Sequence, residues 1–179
     1  MLGSSARRIM HLQNKLSHRQ NGFSLVELLM VVAILLVIAA IAIPKYLQAR
    51  VAANEAAAIS TVRTLATAEA AYLNNYPTVG YAAVLSDLGS GGVAPCAPGP
   101  SSACLIDDTL ANASVAPGKH GYVFTANGSF GTFLITAVPL SNLGGPRSFC
   151  VVADNIPRVN PAGTPITSVS GCLGFQAVQ

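Results

Sequence analysis

Residues 23–43 read FSLVELLMVVAILLVIAAIAI and are followed by Pro44. As a helix these 21 residues span roughly 30 Å, the thickness of a bilayer core. No other apolar run of that length occurs, so a protein that crosses the membrane many times is excluded. The chain is 51% hydrophobic and only 9% charged, far below the quarter or so usual in soluble domains. Such a composition also rules out intrinsic disorder, which needs high charge and few apolar residues. What is left is one membrane segment joined to one small, weakly charged domain.

The net charge of +3 is an effect of one end. Arg7, Arg8, Lys15 and Arg19 precede the apolar run with no acid among them; beyond Gly22, six bases face seven acids. No basic stripe of the kind duplex nucleic acid requires is present, and no nucleic-acid partner is expected. Bases on one side of the span place residues 1–22 in the cytoplasm by the positive-inside bias, with the remainder facing outward.

A cleaved secretory signal would use Ala40-Ile41-Ala42, but this run exceeds the usual apolar stretch of 7–15 residues. A plain anchor fits the length yet gives no reason for Glu27. An acid inside a span costs several kcal/mol. It is protonated, or it snorkels to headgroups about a turn away, or it serves a partner.

Gly22-Phe23-Ser24-Leu25-Val26-Glu27, behind a basic leader and ahead of the apolar run, resembles the class III signal of type IV pilins and pseudopilins. Pro44-Lys45-Tyr46 after the run fits the same family, and Phe23 is typical of its type IVa group. The resemblance implies cleavage after Gly22 by prepilin peptidase, methylation of the new amine on Phe23, and assembly through Glu27. In that role Glu27 attracts the Phe23 amine of a neighbouring subunit. Two charges that are each costly in an apolar core offset one another when paired. The leader of residues 1–22 is long for type IVa, and a start at Met10 would shorten it. Residues 23–43 contain no glycine; Pro44 removes one helix hydrogen bond and is expected to kink or loosen the segment.

Residues 44–76 are alanine-rich and free of further Gly or Pro, which continues the helix to about residue 75. Ile59, Val62, Leu65, Ala66, Leu73 and Tyr76 recur near helical spacing, with Tyr72 flanking them, so this second half is amphipathic and needs a cover. Pro77 ends it. Residues 77–118, rich in Gly, Pro and Ser, read as a long loop with a short helical turn near 81–88. This is the αβ-loop in the pilin resemblance.

Residues 119–153 carry the strand signals. His120, Tyr122 and Phe124 alternate with Gly121, Val123 and Thr125; Asn127-Gly128 reads as the turn; residues 129–139 form a second strand and 147–153 a third. One face of this antiparallel meander covers the helix, leaving the other to solvent. Residues 154–179 read as a terminal loop with room for one edge strand. The fold class is therefore α+β: a long amino-terminal helix, its second half packed on an antiparallel meander, as in pilins.

Cys96, Cys104, Cys150 and Cys172 all follow the span, and an even number in an exported domain points to two disulfides with three connectivities open. Cys96 with Cys104 would close the proline-rich loop on itself. Cys150 with Cys172 would tie the terminal loop to the third strand, as in the D-region of many type IVa pilins, and this pairing is the one expected. No CxxC spacing supports a metal site.

Catalysis is not expected, nor is a cofactor. His120 reads as a partly exposed sheet residue, Asp107-Asp108 as an exposed loop pair, and no GxSxG, HExxH or phosphate-loop pattern occurs. Asn112-Ala113-Ser114 and Asn127-Gly128-Ser129 match glycosylation acceptors. The resemblance implies a structural subunit of a surface filament for adhesion or twitching, with identical subunits, prepilin peptidase and the inner-membrane assembly machinery as partners. The alternative is a type II secretion pseudopilin, whose major forms bind calcium through an acidic C-terminal loop and lack disulfides; here residues 154–179 hold one acid, Asp154. An anchored domain that never polymerises is the third reading, and it needs neither cleavage at Gly22 nor Glu27.

Overall fold

The computed structural model describes residues 22–140 and 144–178. The leader before Gly22 and a start at Met10 lie outside the described residues. The chain divides into two units at Ile43/Pro44. Helix α1 (Leu25–Asn75) supplies the first unit and the spine of the second, and its helical hydrogen bonding continues through Pro44. Proline has no N–H, so the Ala40 carbonyl lacks its usual donor. No residue from Gly22 to Ile43 is buried.

In the second unit α1 turns amphipathic. Its buried residues are Glu55, Ala58, Val62, Leu65, Ala66, Ala68, Glu69 and Tyr72, mostly three or four apart, the spacing of one helical face. This face differs from the expected one in two respects. Tyr72 is buried in it while Ile59, Leu73 and Tyr76 are only half-buried, and two glutamates belong to it.

The face is covered by a five-stranded antiparallel sheet in the order β1-β2-β3-β4-β5. Its strands are β1 (Tyr122–Ser129), β2 (Thr132–Pro139), β3 (Ser148–Val152), β4 (Arg158–Asn160) and β5 (Gln176–Ala177). The period-2 set Tyr122, Phe124, Phe133, Ile135, Ala137, Phe149 and Val151 points at the helix and forms one core with Ala58, Val62, Leu65 and Tyr72.

Three expectations need correction. His120 lies before the sheet. With Gly121 it forms a tight turn at positive φ (54° and 78°), between Lys119 and Tyr122, which exchange backbone hydrogen bonds. The β1–β2 turn is Phe130-Gly131 rather than Asn127-Gly128, since Ser129 pairs with Thr132, and Asn127 and Gly128 pair with Leu134 and Phe133 inside the ladder. The outer face of the sheet is left to solvent only in part: on β1 Val123 and Thr125 are half-buried and Asn127 is exposed, whereas Leu134, Thr136, Cys150 and Val152 are covered. Residues 154–178 add β4, β5 and helix α3 (Val169–Leu173), and bring Ile166, Cys172, Val169 and Phe175 onto Leu134, Cys150 and Val152. The apolar runs FLITAV, broken only by Thr136, and FCVV, in place of a strict alternation, are the signal for burial on both faces of β2 and β3.

The loop of residues 77–118 contains a 3-10 turn (Leu85–Leu88) and a short helix α2 (Asp108–Ala111). Leu85, Leu88, Ala103 and Leu110 join the main core, so much of this loop is packed structure. The disulfides are Cys96–Cys104 and Cys150–Cys172. The second ties β3 to α3 across 22 residues, the first spans 8. Replacing Cys150 and Cys172 together by serine is expected to lower unfolding free energy by about 3 kcal/mol, and the Cys96/Cys104 pair by less, because the shorter loop restrains the unfolded chain less. Guanidinium unfolding of the detergent-solubilised chain, followed by tyrosine near-UV dichroism, checks both size and order.

Candidate functional site

The amino-terminal site begins in non-helical backbone. Gly22, Phe23 and Ser24 precede the helix, and the Ser24 carbonyl accepts the first helical bond, from Leu28 N–H at 3.1 Å. The Gly22–Phe23 bond thus lies outside the helix, where a peptidase can take it as an extended segment. A Cβ added at Gly22 would meet nothing within 4 Å. Among the described residues nothing in the packing calls for glycine at this position, which leaves a partner as the source of any such requirement. Phe23 is 70% exposed.

Glu27 falls in the first turn of α1, where a carboxylate is favoured by the positive end of the helix dipole and by unpaired N–H groups. Beyond it Leu28, Leu29, Met30, Ile34, Leu35, Leu36, Val37, Ile38, Ile41 and Ile43 are all exposed. A helix apolar on every side requires lipid or other protein around it.

In the second unit the two glutamates of the buried face hold its parts together, and neither was singled out from the sequence. Arg147, just before β3, donates from Nε to Glu55 Oε1 at 3.0 Å and from Nη2 to Oε2, a bidentate pair. Glu55 is 6% exposed. The Tyr122 hydroxyl donates to the Arg147 carbonyl at 3.1 Å; burial, and then the charge of Glu55, pushes this phenol up to about 12. Glu69 is fully buried. Its Oε2 accepts the Ala82 N–H at 2.9 Å, and Oε1 has no partner. Burial is the main cause that pushes its carboxyl up to about 7, the Ala82 bond opposes it, and Asp87 adds to it. Both glutamates keep the helical spacing of the apolar stripe, at 55, 58, 62, 65, 69 and 72. That in-phase spacing was the available signal.

The remaining polar positions are occupied structurally. Asp107 caps α2 by accepting Leu110 N–H at 2.8 Å; the hydrogen bond from the Thr109 hydroxyl, and after it the Leu110 bond, hold its carboxyl below the usual range. Asp108 accepts from Ser90 N–H at 3.0 Å and from its hydroxyl at 2.6 Å. Asn112 donates to the Asp108 carbonyl at 2.8 Å. His120 is exposed. Among the described residues no group of three or more His, Cys, Asp or Glu is placed to hold a metal ion.

Residues 17–43 match the prokaryotic N-terminal methylation motif. No curated protein and no solved structure matches the chain. The motif implies processing by prepilin peptidase and covers Gly22, Phe23, Glu27 and the apolar first part of α1. Residues 17–43 are thus the class III signal of type IV pilins, and they precede a pilin-like α+β domain.

Proposed function

We propose that this protein is a structural subunit of a type IV pilus, without catalytic activity of its own. Prepilin peptidase cuts Gly22–Phe23 on the cytoplasmic side and methylates the Phe23 amine. The apolar part of α1 then holds the subunit in the inner membrane with residues after Pro44 in the periplasm. Glu27 recruits it to the filament base by pairing with the Phe23 amine of a neighbour, since either charge alone in an apolar core costs several kcal/mol. Once assembled, apolar helices bury one another and the disulfide-stapled domain forms the exterior.

The observation that carries this reading is the motif on an apolar helix segment with no buried residue from 22 to 43, opened by a glycine that packing among the described residues does not require. The pilus is preferred to a secretion pseudopilus because the C-terminal segment is closed by Cys150–Cys172. Its acid, Asp154, is taken by Arg158, whose Nη1 donates to it at 3.1 Å. That hydrogen bond is the main cause that holds the Asp154 carboxyl below its ordinary value.

Intact-mass analysis of membranes and of sheared surface material tests the proposal. A mass that starts at methylated Phe23, less four hydrogens for two disulfides, is expected in the sheared fraction. The same mass confined to membranes overturns a major pilus subunit in favour of a pseudopilin or a minor subunit. An uncut chain, or one that starts after Ala42, overturns all three. Glu27→Leu is expected to be processed normally yet lost from the sheared fraction.

A further inference from the structure

Glu69 lies outside the motif and takes no part in the steps proposed above, and it is the one fully buried carboxyl on the helix face. Its surroundings are specific. Oε2 holds the Ala82 N–H, at the point where the long loop returns to the helix. The same stretch is gripped from the sheet side, because a Cβ on Gly128 would stand 2.2 Å from the Ala82 carbonyl and 2.7 Å from Tyr81. One turn further along α1, the Tyr72 hydroxyl donates to the Pro100 carbonyl at 2.6 Å. Glu69 and Tyr72 thus bind two separate parts of the loop to one helix face, and Leu85 and Leu88 bury their side chains in the core between them.

The groups that face Glu69 leave its charge unsupported. The 3-10 turn contributes Asp87, an acid; α1 contributes the phenol of Tyr72, with Tyr76 beside it at 4.9 Å between ring centroids. Among the described residues no lysine, arginine or histidine forms an ion pair with Glu69. Oε1 lies buried without any partner, a position tolerable for a protonated carboxyl and costly for a carboxylate.

We propose that the Glu69–Ala82 contact is a proton-operated latch: the protonated carboxyl fixes residues 80–88 on α1, and loss of the proton favours their release, so that the surface shown by the long loop responds to alkalinisation. The geometry of an unpaired buried oxygen beside an acid carries this, and the raised value of about 7 agrees with it. When the segment opens, Glu69 returns towards its ordinary value of 4.5. Between these two values the open form releases a proton that the closed form keeps. The closed form therefore has its full advantage below about 4.5, loses it as pH rises, and loses no more above about 7.

The test is hydrogen exchange of the detergent-solubilised full chain, read by mass on the peptide covering residues 80–88 and corrected for the intrinsic rate at each pH. The opening constant of the wild type is expected to rise by about tenfold per pH unit between roughly pH 5 and 7 and to level off above. Glu69→Gln, which keeps an acceptor for Ala82 and cannot ionise, is expected to show no such rise. Asp87→Asn is expected to move the break to lower pH, because it removes the repelling charge, and it serves if the glutamine variant does not fold. A wild-type profile without the rise, one shared by Glu69→Gln, or a break unmoved in Asp87→Asn overturns the latch.

Discussion

Arg147→Ala is expected to destabilise the chain by about 3 kcal/mol. The Arg147 side chain is 46% exposed, so little of that loss comes from its own packing. Most arises at Glu55, whose side chain is only 7% exposed and whose two oxygens both accept from Arg147. With the arginine gone, a carboxylate is left beneath Gly145 and Tyr122, where water has poor access: a Cβ on Gly145 would lie 2.7 Å from Glu55 Cγ and 2.7 Å from the Tyr122 hydroxyl oxygen. Removal of one partner of a buried pair is far more harmful than removal of both. The double variant Glu55→Leu/Arg147→Met is therefore expected to recover most of the loss. Guanidinium midpoints of the single and double variants in detergent decide it. A single variant that loses less than about 1 kcal/mol, the size of a surface pair, would show that the bridge is solvated.

The second large effect is expected at Gly128. A valine there puts its Cβ against the backbone carbonyl of Ala82, 2.2 Å away, and against the backbone and Cβ of Tyr81 at 2.7 Å. Backbone cannot rotate away as a side-chain end can, so either β1 or residues 81–82 must move, at about 3 kcal/mol or more. The same shift pulls Ala82 from Glu69. Gly131→Ala gives the contrast: nothing stands within 4 Å of its added Cβ, and the cost is only that of a left-handed φ of +93°, about 1–2 kcal/mol. Were Asn127-Gly128 the hairpin turn, Gly128 would instead be the position needing left-handed backbone and Gly131 an ordinary strand residue, and the order of the two losses would be expected to reverse. Equilibrium unfolding of the two variants side by side therefore checks the turn assignment along with the packing.

What could be read from the chain depended on how local each feature is. The apolar run, its motif and the continuation of the helix are consecutive residues, and their meaning follows from length, hydropathy and propensity alone. The strand stretches were also legible, because period-2 patterning is local. The hairpin turn was misread because Asn-Gly satisfies two different needs. At 127–128 the glycine is small to admit Ala82 and Tyr81, residues more than forty positions away. Likewise β4 and β5 are too short, three and two residues, to show an alternation of their own. They exist because β3 offers an edge and Cys150 holds α3 near it.

The two buried glutamates show the same division. Their phase on the helix can be counted from the sequence, but an acid in phase with an apolar stripe is compatible with an exposed rim or with a buried site. Only the fold brings Arg147 to Glu55 over 92 positions and leaves Glu69 with the Ala82 N–H alone. The sequence by itself determined where this protein meets the membrane, where its processing signal lies and that a long helix would need a sheet to cover it, because these rest on short-range periodicity and on transfer of apolar surface from water. Tertiary structure alone decided which glycine turns the chain, what covers part of the sheet's outer face and which buried carboxyl meets an arginine and which a single backbone N–H. Those outcomes depend on desolvation and contact between residues far apart in the chain, and no local pattern encodes them.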